Sequence, residues 1–303
     1  MKIFITGGTG FVGGRLTDHL AGLGHGVTVL TRKAPTGLNS TEIAYVTGDP
    51  ASGGRWQETA AAHDVLINLA GAGIFKRWSD DYKETILRSR LNTTRNLTEA
   101  AGRPGSSVKV MLSASAVGYY GFRGNQELGE TDEPGNDFLA SVCRRWEEAA
   151  TAAETSGVRV VLCRLGIVLG RGGGALLKML PLYTHRLGAR LGSGQNWFSW
   201  IHIDDLTQAF GTLIENEAIR GPVNITAPQP VRFSQFHRAL STAVGKAQII
   251  PPVPAFLVNL LLGDFGRVLT EGQRVYPRVL MQQKFRFAFP ELDAALNNLT
   301  GIS

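Results

Sequence analysis

The 303-residue chain is poor in sulfur, in long apolar runs and in blocks of one charge. Its only cysteines are Cys143 and Cys163, and no His/Cys grouping has metal-ligand spacing, so no metal is expected. A chain this long buries roughly three quarters of its unfolded surface and needs no disulfide staple. The two thiols are therefore expected reduced, in a cytoplasmic setting. No apolar run approaches the roughly 20 residues of a membrane span. The nearest, Val253 to Leu262, is short and contains Pro254 and Asn259. One basic residue followed by apolar residues that break at Gly7-Gly8 makes a poor export signal. No membrane partner is expected.

The net charge is +6, yet the cations are scattered as pairs: Arg32-Lys33, Lys76-Arg77, Arg144-Arg145. Without a basic block or a recognisable module, nucleic acid is not an expected partner. A modest positive field suits a phosphorylated small ligand instead. What the chain has in plenty is glycine: 37 residues without a collagen-like period, which signals tight turns or backbone facing a ligand.

Apolar strands alternate with helices through the first half. Lys2 to Thr6, Val27 to Thr31, Ile43 to Thr47, Val65 to Asn68, Val108 to Ser113 and Val158 to Leu162 read as strands. Helices are expected from about Gly14 to Gly24, from Ser79-Asp80 to Ala101, and from Asp137 towards Gly157. Strands apolar on both faces imply an α/β, doubly wound parallel-sheet Rossmann fold, with ligands at the strands' carboxyl ends. Residues 1–165 are expected to form this domain, with strands from 198–226 returning to it. Residues 166–303 would be a smaller, mainly helical substrate region. There Leu176 to Leu182 reads as helix until Pro181, Trp197 to Ile203 and Val223 to Thr226 as strands, and Asp204-Asp205 as a helix cap.

The strongest signal is Ile5-Thr6-Gly7-Gly8-Thr9-Gly10-Phe11-Val12-Gly13, between the first strand and the first helix. Glycine there allows a tight turn, a close approach to a pyrophosphate and close helix–strand packing, while the helix start offers free N–H groups. A dinucleotide is implied. An acid at the end of the second strand would bind the ribose 2′-OH of NAD; Thr31-Arg32-Lys33 stands there instead, and two cations suit the 2′-phosphate of NADP(H). Asn68, Leu69, Ala70 and Gly71, with Ala72-Gly73, close the fourth strand and would also face the cofactor. Asp49 is either an adenine contact or part of a Gly-Asp-Pro turn.

These residues, with Arg77-Trp78, Ser89-Arg90, Ser113 to Gly121, Arg164 to Gly170, Ser199 to Leu206 and Gly272 to Pro277, make the chain resemble the extended short-chain dehydrogenase/reductases, specifically the "epimerase family protein" branch. The resemblance implies a Tyr acid/base, a Lys four residues later, and a Ser or Thr at the reacting oxygen. In the matching helix, counting from Phe138 gives Phe and Val at the Tyr and Lys positions, and counting from Leu139 gives Leu and Cys. Neither register supplies Tyr or Lys. Ser115 matches the Ser position, with Ser113 as a second choice and as a cofactor contact; Tyr119 or Tyr120 would be the available phenol. Arg77, Arg164 and His202 are candidate substrate contacts, with Lys76 and Arg88 as further anion binders. Trp78, Trp197 and Trp200 line either a cleft or the core. The expected function is an NADP(H)-binding oxidoreductase or epimerase for a small polar, nucleotide-linked substrate; the alternative is a non-catalytic NADP(H) sensor. Oligomeric state is open, a homodimer being the commonest closed assembly.

Overall fold

The computed structural model describes residues 1–33 and 43–301. Strand β1 (Lys2–Thr6) leads into helix α1 (Phe11–Gly22), followed by β2 (Gly26–Thr31) and β3 (Ile43–Thr47). Helix α2 (Trp56–Ala61), β4 (Val65–Asn68), α3 (Asp80–Ala101) and β5 (Val110–Ala116) come next. After the short β6 (Glu127–Leu128) come α4 (Phe138–Thr151) and β7 (Arg159–Leu165). The last third holds β8 (Ile167–Leu169), α5 (Gly174–Thr184), β9 (Trp197–Phe198), β10 (Trp200–His202), α6 (Ile203–Glu215), β11 (Gly221–Ile225) and β12 (Val231–Arg232). It ends with α7 (Phe233–Ala243), α8 (Ala255–Leu262), α9 (Asp264–Thr270), β13 (Arg274–Val275), α10 (Arg278–Gln282) and α11 (Leu292–Thr300).

Seven parallel strands form the central sheet in the order β11-β7-β5-β4-β1-β2-β3. The order reverses between β1 and β4, which opens a crevice at their carboxyl ends. Alternation along β1 shows why both faces are covered. Ile3 and Ile5 enter one core with Leu16 and Leu20 of α1 and Phe210 of α6; Phe4 enters the other with Trp56 of α2 and Leu97 of α3. A third core joins α5, α7 and α11 through Tyr183, Phe236 and Leu296.

Several expectations are corrected. Of the strands expected from 198–226, only β11 joins the central sheet, beside β7; β9 and β10 pair with β12 and β8 in small separate sheets. The expected strand Trp197 to Ile203 breaks at Ser199, whose hydroxyl donates to the Gln273 carbonyl and accepts from the Val275 N–H. His202, not Asp204 or Asp205, caps α6, by accepting the Asp204 N–H. Asp205 is instead buried and receives the Ala288 and Phe289 N–H groups at 2.6 and 3.0 Å, fastening the C-terminal region to α6. Burial pushes the Asp205 carboxyl up, and these two N–H donors oppose the shift. Helix α5 continues past Pro181 to Thr184. Helix α2 has no counterpart among the expected elements, because six residues are too few to show a helical period.

Candidate cofactor site

The glycine turn lies at the crevice. Gly7 has φ +76°, and a Cβ there would stand 2.7 Å from the Leu69 carbonyl carbon, so the β1 turn lies directly on the β4 turn. At Gly13 a Cβ would lie 2.1 Å from the Gly7 carbonyl oxygen, which only glycine tolerates. Gly10 is the N-cap of α1 and brings no side chain to its first N–H groups. A twelve-residue helix thus begins with bare, outward backbone donors, where its dipole favours an anion. This cradle fits a dinucleotide's diphosphate. Thr9 and Gly10 are exposed at its rim, and Gly8 is packed on Val29. Val12 is half-buried. Phe11 turns away from the cradle: its ring fills the space over Gly170, Gly173 and Gly174, where a Cβ on Gly173 would come within 2.1 Å of it.

Next to this turn, the end of β2 is followed by Arg32 and Lys33, both exposed. The Thr31 hydroxyl donates to the Lys33 carbonyl at 2.8 Å and shapes the bend from which both cations project. Asp49 forms an ordinary turn, its carboxylate accepting the Ala51 N–H.

The segment after β4 divides its work. The Asn68 side chain does not face the crevice: it is fully buried, accepts from Thr6, and donates to Thr94 and, weakly, to Ser113. It ties β1, β4, α3 and β5 together. Leu69, Ala70 and Gly71 lie beyond it at the crevice edge, with Leu69 bonded through its N–H to the Thr6 carbonyl. The peptides flanking Ala72 are pinned by α3, since Ser89 accepts the Ala72 N–H and Arg90 donates to the Ala72 carbonyl. Arg90 is the main residue that sequence reasoning left out of the site. Its guanidinium lies behind Gly71, donates also to the Ile86 carbonyl, and faces the Trp146 ring at 5.1 Å. No carboxylate of the described residues pairs with it, and burial pulls its pKa down. A part-buried guanidinium with only carbonyl and ring partners is an anion-seeking group.

The end of β5 is a closed polar knot. Ser115 is 2% exposed and donates to Glu147 Oε1 at 2.6 Å. Glu147 in turn holds Arg164 through two bonds, Nε and Nη2, each 2.8 Å. Arg164 Nη1 donates to the Tyr120 hydroxyl and to the Glu130 carbonyl, and Tyr120 donates to Asn224 Oδ1 at 2.7 Å. The expectation that Arg164 binds a substrate anion is therefore corrected: all its nitrogens have partners and the residue is 3% exposed. Tyr120 is likewise structural, and burial pushes its pKa up to about 12, so it is no base near neutrality. Tyr119 is half-buried with Arg164 3.5 Å over its ring, and burial raises its pKa as well. On α4, Leu139 packs at Gly118, and Cys143 is buried beside Ser115 with its thiol pushed up to about 12 by burial.

Of the other candidates, His202 is corrected to a structural residue. It is 1% exposed, stacked on Phe289 at 3.9 Å and hydrogen-bonded to Asn298, and burial lowers its pKa. Trp78 and Trp200 are core residues; Trp197 lies between the guanidiniums of Arg232 and Arg274. Arg77 is exposed near Gly263, Lys76 covers the Tyr82 ring, and Arg88 pairs with Glu84 on the surface.

The sequence matches the NAD dependent epimerase/dehydratase family over residues 3–226, and a domain of unknown function, DUF1731, over residues 253–299. The chain belongs to the NAD-dependent epimerase/dehydratase family. Family relatives include an epimerase family protein of Staphylococcus aureus strain MRSA252, 39% identical over 98% of each chain. Another is the chloroplastic epimerase family protein SDR39U1 homolog of Arabidopsis thaliana, 36% identical over 98% of this chain and 86% of its own. The human epimerase family protein SDR39U1, solved with NADPH, is 33% identical over the full length of both chains, with a TM-score of 0.89. Thermus thermophilus UDP-glucose 4-epimerase, solved with NAD, shares the fold at 19% identity and a TM-score of 0.78. The family is NAD(P)-binding, as the glycine turn requires. Among the described residues no helix is long and apolar enough to cross a membrane.

Proposed function

We propose that this chain binds NADP(H) and serves as an oxidoreductase or epimerase of the short-chain dehydrogenase type for a small polar substrate. The observation that carries this reading is the pairing of a side-chain-free helix start at Gly10 with two exposed cations, Arg32 and Lys33, on the neighbouring strand. The first N–H groups of α1 would hold the diphosphate, Arg32 and Lys33 the 2′-phosphate, and Arg90 an anionic oxygen at the Gly71 edge. Bound NADP(H) supplies two-electron exchange with a substrate carbon. The residues around it give position rather than acid or base strength. Because Ser115 donates its proton to Glu147, any further partner of its oxygen must itself donate, which suits a substrate hydroxyl.

Calorimetric titration tests the cofactor assignment. Replacing Arg32 and Lys33 together by Ala is expected to weaken NADPH at least tenfold, about 1.4 kcal/mol, and NADH little. Arg90→Met is expected to weaken both dinucleotides alike. Equal losses for NADPH and NADH in the Arg32/Lys33 variant would refute the 2′-phosphate assignment.

A second reading, a sensor that holds NADP(H) without turnover, is favoured by one observation. Neither Phe138 with Val142 nor Leu139 with Cys143, the two registers of the matching helix, supplies Tyr and Lys, and Ser115 is closed off from solvent. Incubation with carbonyl substrates and C4-deuterated NADPH separates the two. Deuterium in product supports the oxidoreductase; tight cofactor binding with no transfer over a broad substrate panel supports the sensor.

A further inference from the structure

The strand order sets where each half of a dinucleotide would lie. Arg32 and Lys33 follow β2 and the glycine turn follows β1, so the ligand would run from β2 across β1 towards β4 and β5. Its nicotinamide half then falls at the ends of β4 and β5, over Gly71 and beside α3 and α4. Arg90 packs its guanidinium there against Gly71, where a Cβ would stand 3.2 Å from Cζ, and 5.1 Å from the centre of the buried Trp146 ring. Nη1 donates to the Ala72 and Ile86 carbonyls, while Nε and Nη2 donate to no described residue. The Trp146 indole N–H is likewise buried with no acceptor among the described residues. The less exposed ionic groups of α3 and α4 are balanced. Glu147 holds Arg164, Lys83 holds Asp264, and Asp137 accepts the Ala140 N–H at the positive end of α4. A guanidinium stays charged at any accessible pH, and a part-buried one is poorly screened by salt.

We infer that Arg90 selects the oxidation state of the cofactor: its guanidinium, seated between Gly71 and Trp146 without a carboxylate, favours NADPH over NADP⁺. The inference rests on the NADP(H) reading above. The two forms carry the same diphosphate and the same 2′-phosphate and differ in the ring, which is neutral when reduced and positive when oxidised. Two cations in one partly desolvated quarter of the crevice repel, and the reduced ring meets no such penalty. Any cofactor oxygen that takes the Nε–Nη2 edge is common to both forms and cancels from their ratio, so what Arg90 adds to that ratio is its charge. Lys76 and Arg77 have the same sign but are exposed, and solvent and salt screen them.

Calorimetric titration of the full chain with NADPH and with NADP⁺ reads the ratio of the two dissociation constants. The parent is expected to hold NADPH at least about tenfold tighter than NADP⁺. Arg90→Met is expected to lower that ratio about tenfold, and Arg90→Lys, which keeps the charge, to preserve it. Arg90→Gln is measured beside Arg90→Met, with circular dichroism reporting the fold, so that a packing fault in one neutral variant does not decide the result. Replacing Lys76 and Arg77 together by Ala must leave the ratio where it was. Equal dissociation constants in the parent overturn the inference. So does a ratio that survives both neutral variants, or one that moves with Lys76 and Arg77 instead. A parent that binds neither form overturns the NADP(H) reading and this inference with it, whereas tight binding of both forms without discrimination overturns the inference alone.

Discussion

Gly13→Ala is expected to abolish NADPH retention, raising Kd at least 100-fold, and to lower stability by about 1–3 kcal/mol through overpacking. The added methyl would lie 2.1 Å from the Gly7 carbonyl oxygen and 2.7 Å from the Gly8 Cα, all of them backbone atoms that no rotamer change can move aside. The turn must open, and opening it displaces the first N–H groups of α1 from one another. Gly14→Ala, one residue on, is the matched control. Its Cβ would meet only the Gly8 carbonyl oxygen at 3.8 Å, and alanine favours a helix by roughly 0.8–1 kcal/mol over glycine. Calorimetry and thermal unfolding of the two variants should therefore move in opposite directions. If Gly13→Ala held NADPH as the parent does, the cradle would not be the cofactor site.

Glu147→Ala is the second large effect. It leaves Arg164 buried without its carboxylate and frees the Ser115 hydroxyl, and breaking such a pair costs about 3–5 kcal/mol. Burial pulls the Arg164 pKa down and Glu147 pushes it up; without Glu147 the guanidinium still stays charged, because its ordinary pKa lies far above any accessible pH, so the variant cannot relax by losing a proton. Removing both charges, as Glu147→Leu with Arg164→Met, is expected to recover most of the loss, since well-packed apolar replacements are often neutral. Urea titration of the single and double variants forms the cycle. A Glu147→Ala protein as stable as the parent would show that the knot is dispensable.

The central sheet was legible in the sequence because each strand is apolar on both faces and each glycine or cap residue marks a joint. Ser79 and Asp137 cap α3 and α4 as their residue types suggest. The glycine turn was legible for the same reason: the required conformations are local. The polar knot was not. Ser115, Glu147 and Arg164 come from β5, α4 and β7, and only the parallel pairing that sets Ser115 beside Arg164 brings them together. Read singly, an Arg at a strand end looks like an anion binder, whereas here Glu147 already holds it. Arg90 went unread as a site residue for the converse reason: nothing local shows that α3 turns it under Gly71 without a carboxylate partner among the described residues.

The seat of Phe11 has a mechanical consequence. Its ring rests on bare chain at Gly170, Gly173 and Gly174, immediately ahead of α5. Phe11 opens α1 beside the cradle, so its ring joins the amino-terminal bend directly to the segment ahead of α5, alongside the Arg15–Asp204 pair between α1 and α6.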